Sequence, residues 1–490
     1  MKLSELITNL NIKEINGDLN FNIKGIYHNS REIKKDFLFI CIRGFAFDGH
    51  NFIDDAINRG AVALVVEKEM PPRLGVTIIR VDDSRKALAI LANQFYDFPS
   101  RKLKLIGVTG TNGKTTITYM LRAIFKEAGF KTGLLGTAQN IVGDNINSSK
   151  MTTMESVDLQ KTLKEMVEQK NDYVVMEVSS HALQLSRVEG CDFNTAIFTN
   201  ISKEHFEIHK NFSNYLEAKK KLFLSLNKSK KENSKKFAII NIDEEHSKDI
   251  IDCNKVNLIS YGIEKEAKVR AQKIKMKLKS LSFVVETPIG DAEILLNFGG
   301  RYNVYNALAA IATAITQGIP LNLISRAFSK FSGAPGRYKL LEYGQNYTIV
   351  IDFAHNYHGL GSILQNLRNF APHKLITVFG HGGEKYNKVR VTMGEVIGTY
   401  SDYVVITADN PKSEDPVEIA QEIERGVKKT DKDYIIITDR VKAIKHALEK
   451  AGEGDIVLIA GKGPENEQIY HNRVIHHNDE EVVKNILTGR

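Results

Sequence analysis

The segment GVTGTNGKTT, residues 107–116, limits what this chain can fold into more than any other part of its sequence. It ends the apolar, β-branched run LKLIGVT (103–109) and leads into a segment with the pattern of a helix. The backbone amides of a glycine-rich loop at a helix N-terminus form a cradle for anionic phosphate groups. We therefore predict a nucleotide-binding loop between a buried strand and a helix.

Two side chains of this loop have the chemistry that a bound nucleotide requires. Lys114 can reach the β- and γ-phosphate oxygens, and the hydroxyl of Thr115 can ligate Mg²⁺. The strict GxxxxGK[ST] pattern is not met, because Val108 stands at its first glycine. The strand–loop–helix context still favours phosphate binding over a chance turn. The loop residues predicted to bind ATP are Gly110, Thr111, Asn112, Gly113, Lys114, Thr115 and Thr116.

The length of 490 residues suggests about three domains at roughly 100–200 residues each. Residues 1–99 hold short β-rich runs and one helix, and they end at the proline-containing segment YDFPSRK. Residues 100–332 and 333–490 alternate strands with helices, which predicts parallel sheets covered on both faces. We expect an α/β fold in three domains: a small α/β domain, a central phosphate-loop domain with a parallel sheet, and a doubly wound, Rossmann-like C-terminal domain.

Composition narrows the possible partners and location. The net charge of +8 favours anionic partners without separating nucleic acid from nucleotides. The lysine-rich stretch 227–236 lacks interleaved aromatic residues and is interpreted as a solvated loop. No apolar run approaches the ~18 residues of a membrane span, no signal peptide is recognised, and three scattered cysteines suit a reducing compartment. We expect a cytoplasmic protein with neither membrane nor nucleic acid as a partner.

Three further residues stand in informative contexts. Glu177 lies near the carboxyl end of the buried strand YVVMEVS (173–179), where a carboxylate needs a metal ion or an ion pair. His205 follows another strand and could ligate a metal, although a lone loop histidine is more often structural. Lys219 to Lys221, taken by themselves, are interpreted as an exposed run of charge.

The motifs together resemble the Mur ligases over essentially the whole chain. The GTNGKTT loop is shared by all Mur ligases and by folylpolyglutamate synthetase. More specific are EVSSHAL (177–183), DNPKSEDP (409–416) and AGKG (460–463), and the last two resemble the ligases that add the third residue of the peptide. NSR (29–31) and DGH (48–50) resemble the family's elements around the uridine site.

The resemblance implies an ATP-dependent ligase that acts in cell-wall synthesis, on a murein or an archaeal pseudomurein precursor. Such enzymes phosphorylate a carboxylate of a UDP-linked sugar or peptide precursor with ATP and Mg²⁺. The amine of a free amino acid then displaces phosphate from the acyl phosphate. A monomer is favoured. The domains would bind the UDP-precursor (1–99), ATP (100–332) and the amino acid (333–490).

The resemblance also assigns residues to roles. The catalytic group would be Lys114, Glu177, His205 and Lys219. Magnesium would be held by Thr115, Glu177 and His205, with Lys219 if it is carbamylated. Nucleotide binding would extend to Asn303, Arg337 and Asp352. The UDP-precursor would contact Ser30, Arg31, Thr152, Thr153, Ser179 and Arg187. The amino acid would lie among Arg390, Asn410, Lys412, Gly461 and Glu465, where arginine and lysine suit carboxylates and glutamate suits an ammonium.

The departures from the family pattern cluster in the substrate regions. The family's DNPR reads DNPK, GKGHE reads GKGPE, and DYAHTP reads DFAHNY. Lysine keeps the charge of arginine but loses its planar fork. These changes give the hypothesis that the added amino acid differs from that of the common bacterial enzymes. The alternatives are another amide ligase of the superfamily such as folylpolyglutamate synthetase, a phosphate-loop NTPase not coupled to amide formation, or an inactive homologue.

Overall fold

The computed structural model describes residues 1–44, 47–149, 151–202, 204, 206–228, 231 and 234–489, with only the backbone of Phe206 and Glu207. Three sheets follow one another along the chain, each built from one of the three blocks of the sequence. A two-stranded hairpin near the C-terminus completes the strands. The prediction of an α/β fold in three domains is confirmed.

The first sheet has five strands in the order β1-β5-β4-β3-β2. All neighbours are parallel except β1, which pairs antiparallel with β5. The strands are β1 (Ile12–Asn16), β2 (Gly25–Tyr27), β3 (Phe37–Ile40), β4 (Ala61–Val66) and β5 (Thr77–Val81). The helices are α1 (Leu3–Leu6), α2 (Ile53–Asn58) and α3 (Ser84–Phe95), with short 3₁₀ turns at Ser30–Glu32, Gly49–Phe52 and Pro99–Lys102.

The second sheet has eleven strands in the order β16-β15-β14-β13-β12-β11-β6-β10-β7-β8-β9. Its strands are β6 (Lys104–Thr109), β7 (Thr132–Leu135), β8 (Gln139–Val142), β9 (Asn145–Ser148), β10 (Tyr173–Glu177), β11 (Thr195–Phe198), β12 (Phe237–Asn241), β13 (Asn257–Gly262), β14 (Val269–Met276), β15 (Leu281–Thr287) and β16 (Gly290–Leu296). Its helices are α4 (Lys114–Glu127), α5 (Ser156–Glu168), α6 (Ser180–Gln184), α7 (Phe206–His209), α8 (Phe212–Lys228), α9 (Ser247–Asp252), α10 (Arg301–Thr316) and α11 (Leu321–Lys330).

The centre of this sheet is parallel and buried. Strand β6 lies between β11 and β10, parallel to both, and its residues from Leu105 to Thr109 are buried. Separate apolar clusters cover the two faces, one around Ile106 and Val108 and the other around Leu105 and Val174. Because the carboxyl ends of parallel strands meet at one edge, the residues that follow β6, β10 and β11 converge there.

The third sheet has six strands in the order β17-β18-β22-β19-β20-β21, of which only β17 runs antiparallel. Its strands are β17 (Lys339–Leu341), β18 (Thr348–Asp352), β19 (Leu375–Phe379), β20 (Tyr403–Ile406), β21 (Asp433–Ile436) and β22 (Ile456–Ala460). The hairpin is β23 (Glu467–Ile469) and β24 (Val474–His476). The helices are α12 (Tyr357–Arg368), α13 (Val389–Tyr400), α14 (Pro416–Val427), α15 (Arg440–Lys450) and α16 (Asp479–Thr488), with a 3₁₀ turn at Lys428–Thr430.

Two interpretations of local sequence need correction. Lys219 was expected in an exposed charge run, but it is only 1% exposed because it lies on the inner face of α8. In the lysine-rich stretch, where Ser229, Lys230, Glu232 and Asn233 lie outside the described residues, Lys231 is not fully solvated. Its ammonium donates to the Leu103 carbonyl at 2.5 Å, and burial lowers its pKa to about 7.

In the part of the chain that the structure describes, no helix combines the length and the apolar character needed to cross a membrane.

Candidate active site

The predicted phosphate loop connects β6 to α4 and is shaped by two glycines. Gly110 and Gly113 have φ values of +148° and +90°, in the region that favours glycine. A Cβ at Gly110 would lie 1.8 Å from Thr199 Oγ1, and one at Gly113 would lie 2.4 Å from Asn306 Oδ1. The loop therefore needs glycine at both positions, for conformation and for space.

The loop is fastened to the end of the neighbouring strand β11. Thr111 and Asn112 donate backbone N–H bonds to the backbone oxygen and to Oδ1 of Asn200, at 2.8 and 2.9 Å. Thr199 Oγ1 donates to the Asn112 carbonyl at 2.7 Å. Two adjacent strand ends thus hold the cradle in one conformation.

Lys114 begins α4, and its ammonium folds back over the loop. Nζ donates to the carbonyls of Gly110 and Thr111 at 2.9 and 2.8 Å. Burial lowers the pKa of Lys114, the nearby Glu177 and Glu204 carboxylates oppose that shift, and the Arg337 guanidinium adds to it. Two cations beside one buried loop are suited to an anionic ligand such as phosphate.

Glu177, at the carboxyl end of β10, accepts hydrogen bonds from the hydroxyl groups beside the loop. Its Oε1 accepts from Thr115 Oγ1 at 2.9 Å and from the Thr137 backbone N–H at 2.8 Å, and its Oε2 accepts from Thr137 Oγ1 at 3.0 Å. The carboxylate is 1% exposed. Arg337 Nη2 also donates to Thr115 Oγ1, at 3.1 Å. Hydroxyl and amide donors thus surround this carboxylate, for which the sequence predicted a metal ion or an ion pair.

The residues predicted to bind the precursor lie on the other side of Glu177. Thr153 Oγ1 donates to the Glu177 carbonyl at 2.9 Å and accepts from the Ser179 N–H at 3.1 Å. Arg187 donates to the Thr153 carbonyl at 3.2 Å and pairs with Glu155 at 2.6 Å. The Thr137 hydroxyl donates its one proton to Glu177, so it accepts from the hydroxyl of Thr152, at 3.0 Å. These residues form a hydrogen-bonded network that is connected to the phosphate loop through Glu177.

Lys219 is buried close to Lys114. Its Nζ lies 4.4 Å from the centroid of the Tyr215 ring, and no hydrogen bond joins it to another described residue. Burial lowers the pKa of Lys219 well below its usual value, and the positive charge of Lys114 lowers it further. Burial therefore favours the neutral amine, which is the nucleophilic form of lysine.

A single cavity of about 1350 Å³ joins the phosphate loop to the residues around Glu177, and neither Gly110 nor Lys219 is among its lining residues. Its lining includes the loop from Thr111 to Thr116, the Glu177 group, and Arg337 and Asp352 from the third block. Asp352 accepts from the N–H groups of Tyr338 and Ala354, each at 2.8 Å, and burial raises its pKa. The cavity also includes Thr152, Thr153, Ser179 and Arg187.

Several predicted residues do not line this cavity. Asn303 is buried behind it, accepting from Asn306 Nδ2 at 3.0 Å, and Asn306 is the residue that reaches the lining. Ser30 and Arg31 lie in the 3₁₀ turn after β2, in the first sheet's domain. His205 lies outside the described residues.

The five residues predicted to bind the amino acid lie in the C-terminal domain and are paired with one another or with neighbours. Asn410 Nδ2 donates to Glu465 Oε2 at 2.8 Å, and buried Lys462 donates to both residues. Gly461 precedes Lys462 with a φ of +112°. Glu465, which was predicted to bind the ammonium of the amino acid, thus pairs in this structure with the ammonium of Lys462.

The two cations expected to take carboxylates are also paired. Lys412 Nζ lies 3.1 Å from Glu384 Oε2, with both side chains about half-exposed. Arg390 is 1% exposed and donates through Nη1 to Glu414 and Glu422, each at 2.8 Å. Arg390 thus holds two carboxylates of its own domain, whereas Lys412 remains within reach of solvent.

Sequence reasoning missed three residues at the site: Thr137, Asn306 and Asn356. Thr137 follows β7, which begins the hairpin region 132–148 that the sequence analysis did not recognise. Asn306 lies one helical turn after the predicted Asn303, a spacing that places both on one face of α10. Asn356 was noted only as a departure from the family motif, and in the structure it contacts the phosphate loop.

Comparisons with known proteins match the whole chain to one family. Three family models match in order: "Mur ligase family, catalytic domain" at 22–96, "Mur ligase middle domain" at 108–314, and "Mur ligase, glutamate ligase domain" at 336–463. Two similar relatives are UDP-N-acetylmuramoyl-L-alanyl-D-glutamate–2,6-diaminopimelate ligases. The one from Alkaliphilus metalliredigens is 43% identical, over 99% of this chain and 97% of its own. The one from Caldanaerobacter subterraneus is 42% identical, over 99% of both chains.

A solved structure of a 2,6-diaminopimelate ligase of the same description superposes with a TM-score of 0.69 at 27% identity. The match covers 100% of this chain and 99% of that one. The superposition therefore spans all three domains, including the phosphate loop and the residues that line the cavity.

Proposed function

The chain belongs to the Mur ligase family and is an ATP-dependent acid–amino-acid ligase, and from that premise we propose that it joins 2,6-diaminopimelate to UDP-N-acetylmuramoyl-L-alanyl-D-glutamate. The observation that carries the proposal is the common cavity. The phosphate loop and the Thr152–Arg187 group line one space of about 1350 Å³, so a nucleotide and an anionic precursor can meet there. A ligase must hold the nucleotide and the precursor side by side, because its first step transfers a phosphoryl group from one to the other.

The proposed reaction has two steps. A carboxylate oxygen of the precursor attacks the γ-phosphorus of ATP, and the bond from that phosphorus to ADP breaks. The amine nitrogen then attacks the acyl carbon and loses a proton, and the bond from that carbon to phosphate breaks. The first step brings a carboxylate and a phosphate together, so Lys114 and Arg337 would stabilise the negative charge on their oxygen atoms.

Magnesium fits the groups beside the loop. Thr115 offers a hydroxyl and Glu177 a carboxylate. The described residues contain no cluster of three or more histidine, cysteine or acidic side chains that could hold a metal ion without a nucleotide. Mg²⁺ binds through one or two carboxylates, keeps several waters and takes phosphate oxygens as its other ligands. We therefore propose Thr115 and Glu177 as its protein ligands, with His205 as a further candidate. The ion would neutralise phosphate charge.

Lys219 is proposed to act as a carbamate. Carbon dioxide adds to a neutral amine, and burial beside Lys114 favours the neutral form. The product would replace a cation next to Lys114 with an anion, which removes the repulsion between the two side chains. The carbamate could then support the magnesium site.

The domain roles follow the family order. We propose that residues 1–99 bind the uridine end, with Ser30 and Arg31 among the contacts, and that 100–332 bind ATP. Residues 333–490 would bind the amino acid through Asn410, Lys412, Gly461 and Glu465, with Arg390 ordering the loop that carries Glu414. Asn303 would act through Asn306. The murein precursor is favoured over pseudomurein because both relatives named above act on UDP-N-acetylmuramoyl substrates.

The test is phosphate release from ATP by the full chain, with product mass. Wild type should release phosphate only when the UDP-muramoyl dipeptide and an amino acid are both present. A panel containing 2,6-diaminopimelate, L-lysine and L-ornithine tests the hypothesis raised by DNPK. Diaminopimelate should give the highest kcat/KM. Hydrolysis indifferent to both co-substrates would contradict the ligase proposal, and a preference for L-lysine would contradict only the amino-acid assignment.

A further inference from the structure

A hydrogen bond between two asparagines joins the C-terminal domain to the phosphate loop. Asn356 Nδ2 donates to Asn112 Oδ1 at 3.0 Å, although 244 residues separate the two in sequence. Asn356 is 6% exposed and Asn112 is half-buried, so the bond lies at the wall of the cavity. Asn356 and its neighbours His355 and Gly359 line the same cavity as the loop.

The main chain of Asn112 is already fixed within the central domain. Its N–H donates to Asn200 Oδ1 at 2.9 Å, and its carbonyl accepts from Thr199 Oγ1 at 2.7 Å and from Asn200 Nδ2 at 3.3 Å. The side chain is the part that reaches the other domain. A contact made by this side chain is therefore transmitted directly to the backbone that is proposed to hold phosphate.

Asn356 uses both ends of its amide. Its Oδ1 caps α12 by accepting from the Gly359 N–H at 2.7 Å, while its Nδ2 makes the bond to Asn112. A threonine or serine can serve as the helix cap, but it lacks the longer amide arm. Asparagine is thus the residue type that can cap the helix and cross to the loop at the same time.

We propose that Asn356 is a positioning residue that latches the C-terminal domain onto the phosphate loop through Asn112. The proposal rests on the proposed function in one respect: the latch would serve a reaction in which ATP and the amino acid are held by different domains. Docking of the two domains brings the amine to the acyl phosphate. Loss of the latch should slow the reaction in the docked state more than it weakens the first binding of ATP.

The chain contains a matched control for this contact. Asn478 caps α16 through Oδ1, accepting from Glu480 and Glu481, and its Nδ2 donates to Asn466 Oδ1 at 2.8 Å. Both partners of that bond lie in the C-terminal domain. Asn478→Ser therefore makes the same chemical change as Asn356→Ser, at a cap that does not join domains.

The first experiment measures kcat and KM for ATP in the full chain, with Asn356→Ser and Asn356→Thr compared with Asn478→Ser. Both Asn356 variants keep a capping oxygen. We expect their kcat to fall about five- to tenfold, which corresponds to about 1–1.4 kcal/mol for one hydrogen bond, with the KM for ATP within twofold of wild type. Values of kcat within twofold of Asn478→Ser would overturn the latch.

A second readout does not depend on ligase activity. Spin labels at Lys161→Cys and Glu418→Cys, both on exposed positions of helices in different domains, report the interdomain distance once Cys253 is replaced by serine. With ADP bound, Asn356→Ser should broaden the distance distribution and Asn478→Ser should not. An unchanged distribution in Asn356→Ser would reject the latch, even if wild type failed the ligase test and the proposed function were wrong.

Discussion

The hydroxyl of Thr115 donates to the carboxylate of Glu177 at 2.9 Å, linking the first turn of α4 to the end of β10. The two residues are 62 positions apart and belong to neighbouring parallel strands and their loops. Their pairing places a hydroxyl, a carboxylate and the amides of the phosphate loop in one small volume. We propose that a magnesium–nucleotide complex binds in this volume.

Substitution of Glu177 tests that arrangement. Glu177→Gln keeps the size of the side chain and an acceptor for Thr115 and Thr137, but it removes the charge proposed to bind Mg²⁺. We expect kcat to fall by about 10²–10³, the range seen when one electrostatic stabiliser is lost. The Mg²⁺ concentration for half-maximal activity should rise. Titrating Mg²⁺ in the phosphate-release assay measures both effects.

Glu67→Gln is the matched control, because Glu67 also accepts bonds from a neighbouring hydroxyl and amide, those of Ser84 in the first domain. Its Mg²⁺ dependence should equal that of wild type. The same Mg²⁺ dependence in Glu177→Gln would remove Glu177 from the metal site.

Lys219 should be essential, and its loss should be partly reversible. Lys219→Ala removes the proposed carbamate, and we expect at least a hundredfold loss of kcat. Acetate or propionate can enter the space left by the side chain and supply a carboxylate, so either should restore part of the activity. Lys221→Ala, two residues along the same helix and exposed, should stay within twofold of wild type. Full activity of Lys219→Ala would contradict a role for this residue.

Lys412 should affect the amino acid rather than the nucleotide. It is half-exposed and paired with Glu384, so a substrate carboxylate could compete for its ammonium. Lys412→Ala is expected to raise the KM for diaminopimelate about tenfold, while the KM for ATP stays within twofold. Lys429→Ala removes a similar exposed Lys–Glu pair, at 3.3 Å from Glu395, and should change neither KM. An effect confined to ATP would place Lys412 elsewhere.

Arg440 and Asp479 form a buried ion pair under the loops of the C-terminal domain. Both side chains are 0% exposed, and the guanidinium also donates to the carbonyls of Ala408 and Ala460, which end the segments leading to Asn410 and Gly461. Arg440→Met leaves the buried Asp479 carboxylate with His477 as its one remaining side-chain partner among the described residues, and we expect it to destabilise the domain by about 3–5 kcal/mol in urea unfolding. Lys442→Met, which breaks an exposed pair, should cost under about 1 kcal/mol.

The same pair gives a pH dependence. Burial acts to raise the pKa of Asp479, but the charge and hydrogen bonds of Arg440 outweigh it and hold the pKa below its usual value. A depressed carboxylate pKa contributes stability above the unfolded pKa of about 3.9, and that contribution is lost as pH falls through the folded pKa. Stability of the wild-type domain should therefore decline from about pH 4 downward. In Arg440→Met, the loss of folding stability that protonation of Asp479 causes below about pH 4 should be smaller than in wild type.

The phosphate loop was predictable because backbone geometry imposes a strict pattern on sequence. Glycines at 110 and 113, a lysine and a hydroxyl residue between a strand and a helix leave few other interpretations. The alternating strands and helices of the second and third blocks were predictable for a similar reason, since burial on both faces requires apolar runs.

Other features depend on distant contacts that no local pattern records. Lys219 lies in a run of three lysines, and only the packing of α8 decides which of them is buried. The pairing of Arg390 with Glu414 and Glu422 is likewise a tertiary property. For Asn356, the sequence revealed an unusual residue in the motif, but it did not predict that this residue contacts Asn112.

The most direct measurement follows one oxygen atom. With ¹⁸O in the accepting carboxylate of the UDP-muramoyl dipeptide, the wild-type chain, ATP and diaminopimelate should give phosphate that carries one ¹⁸O per amide formed, since that oxygen passes to phosphorus before the amine displaces it. Unlabelled phosphate, released at the same rate with or without the amino acid, would contradict the account.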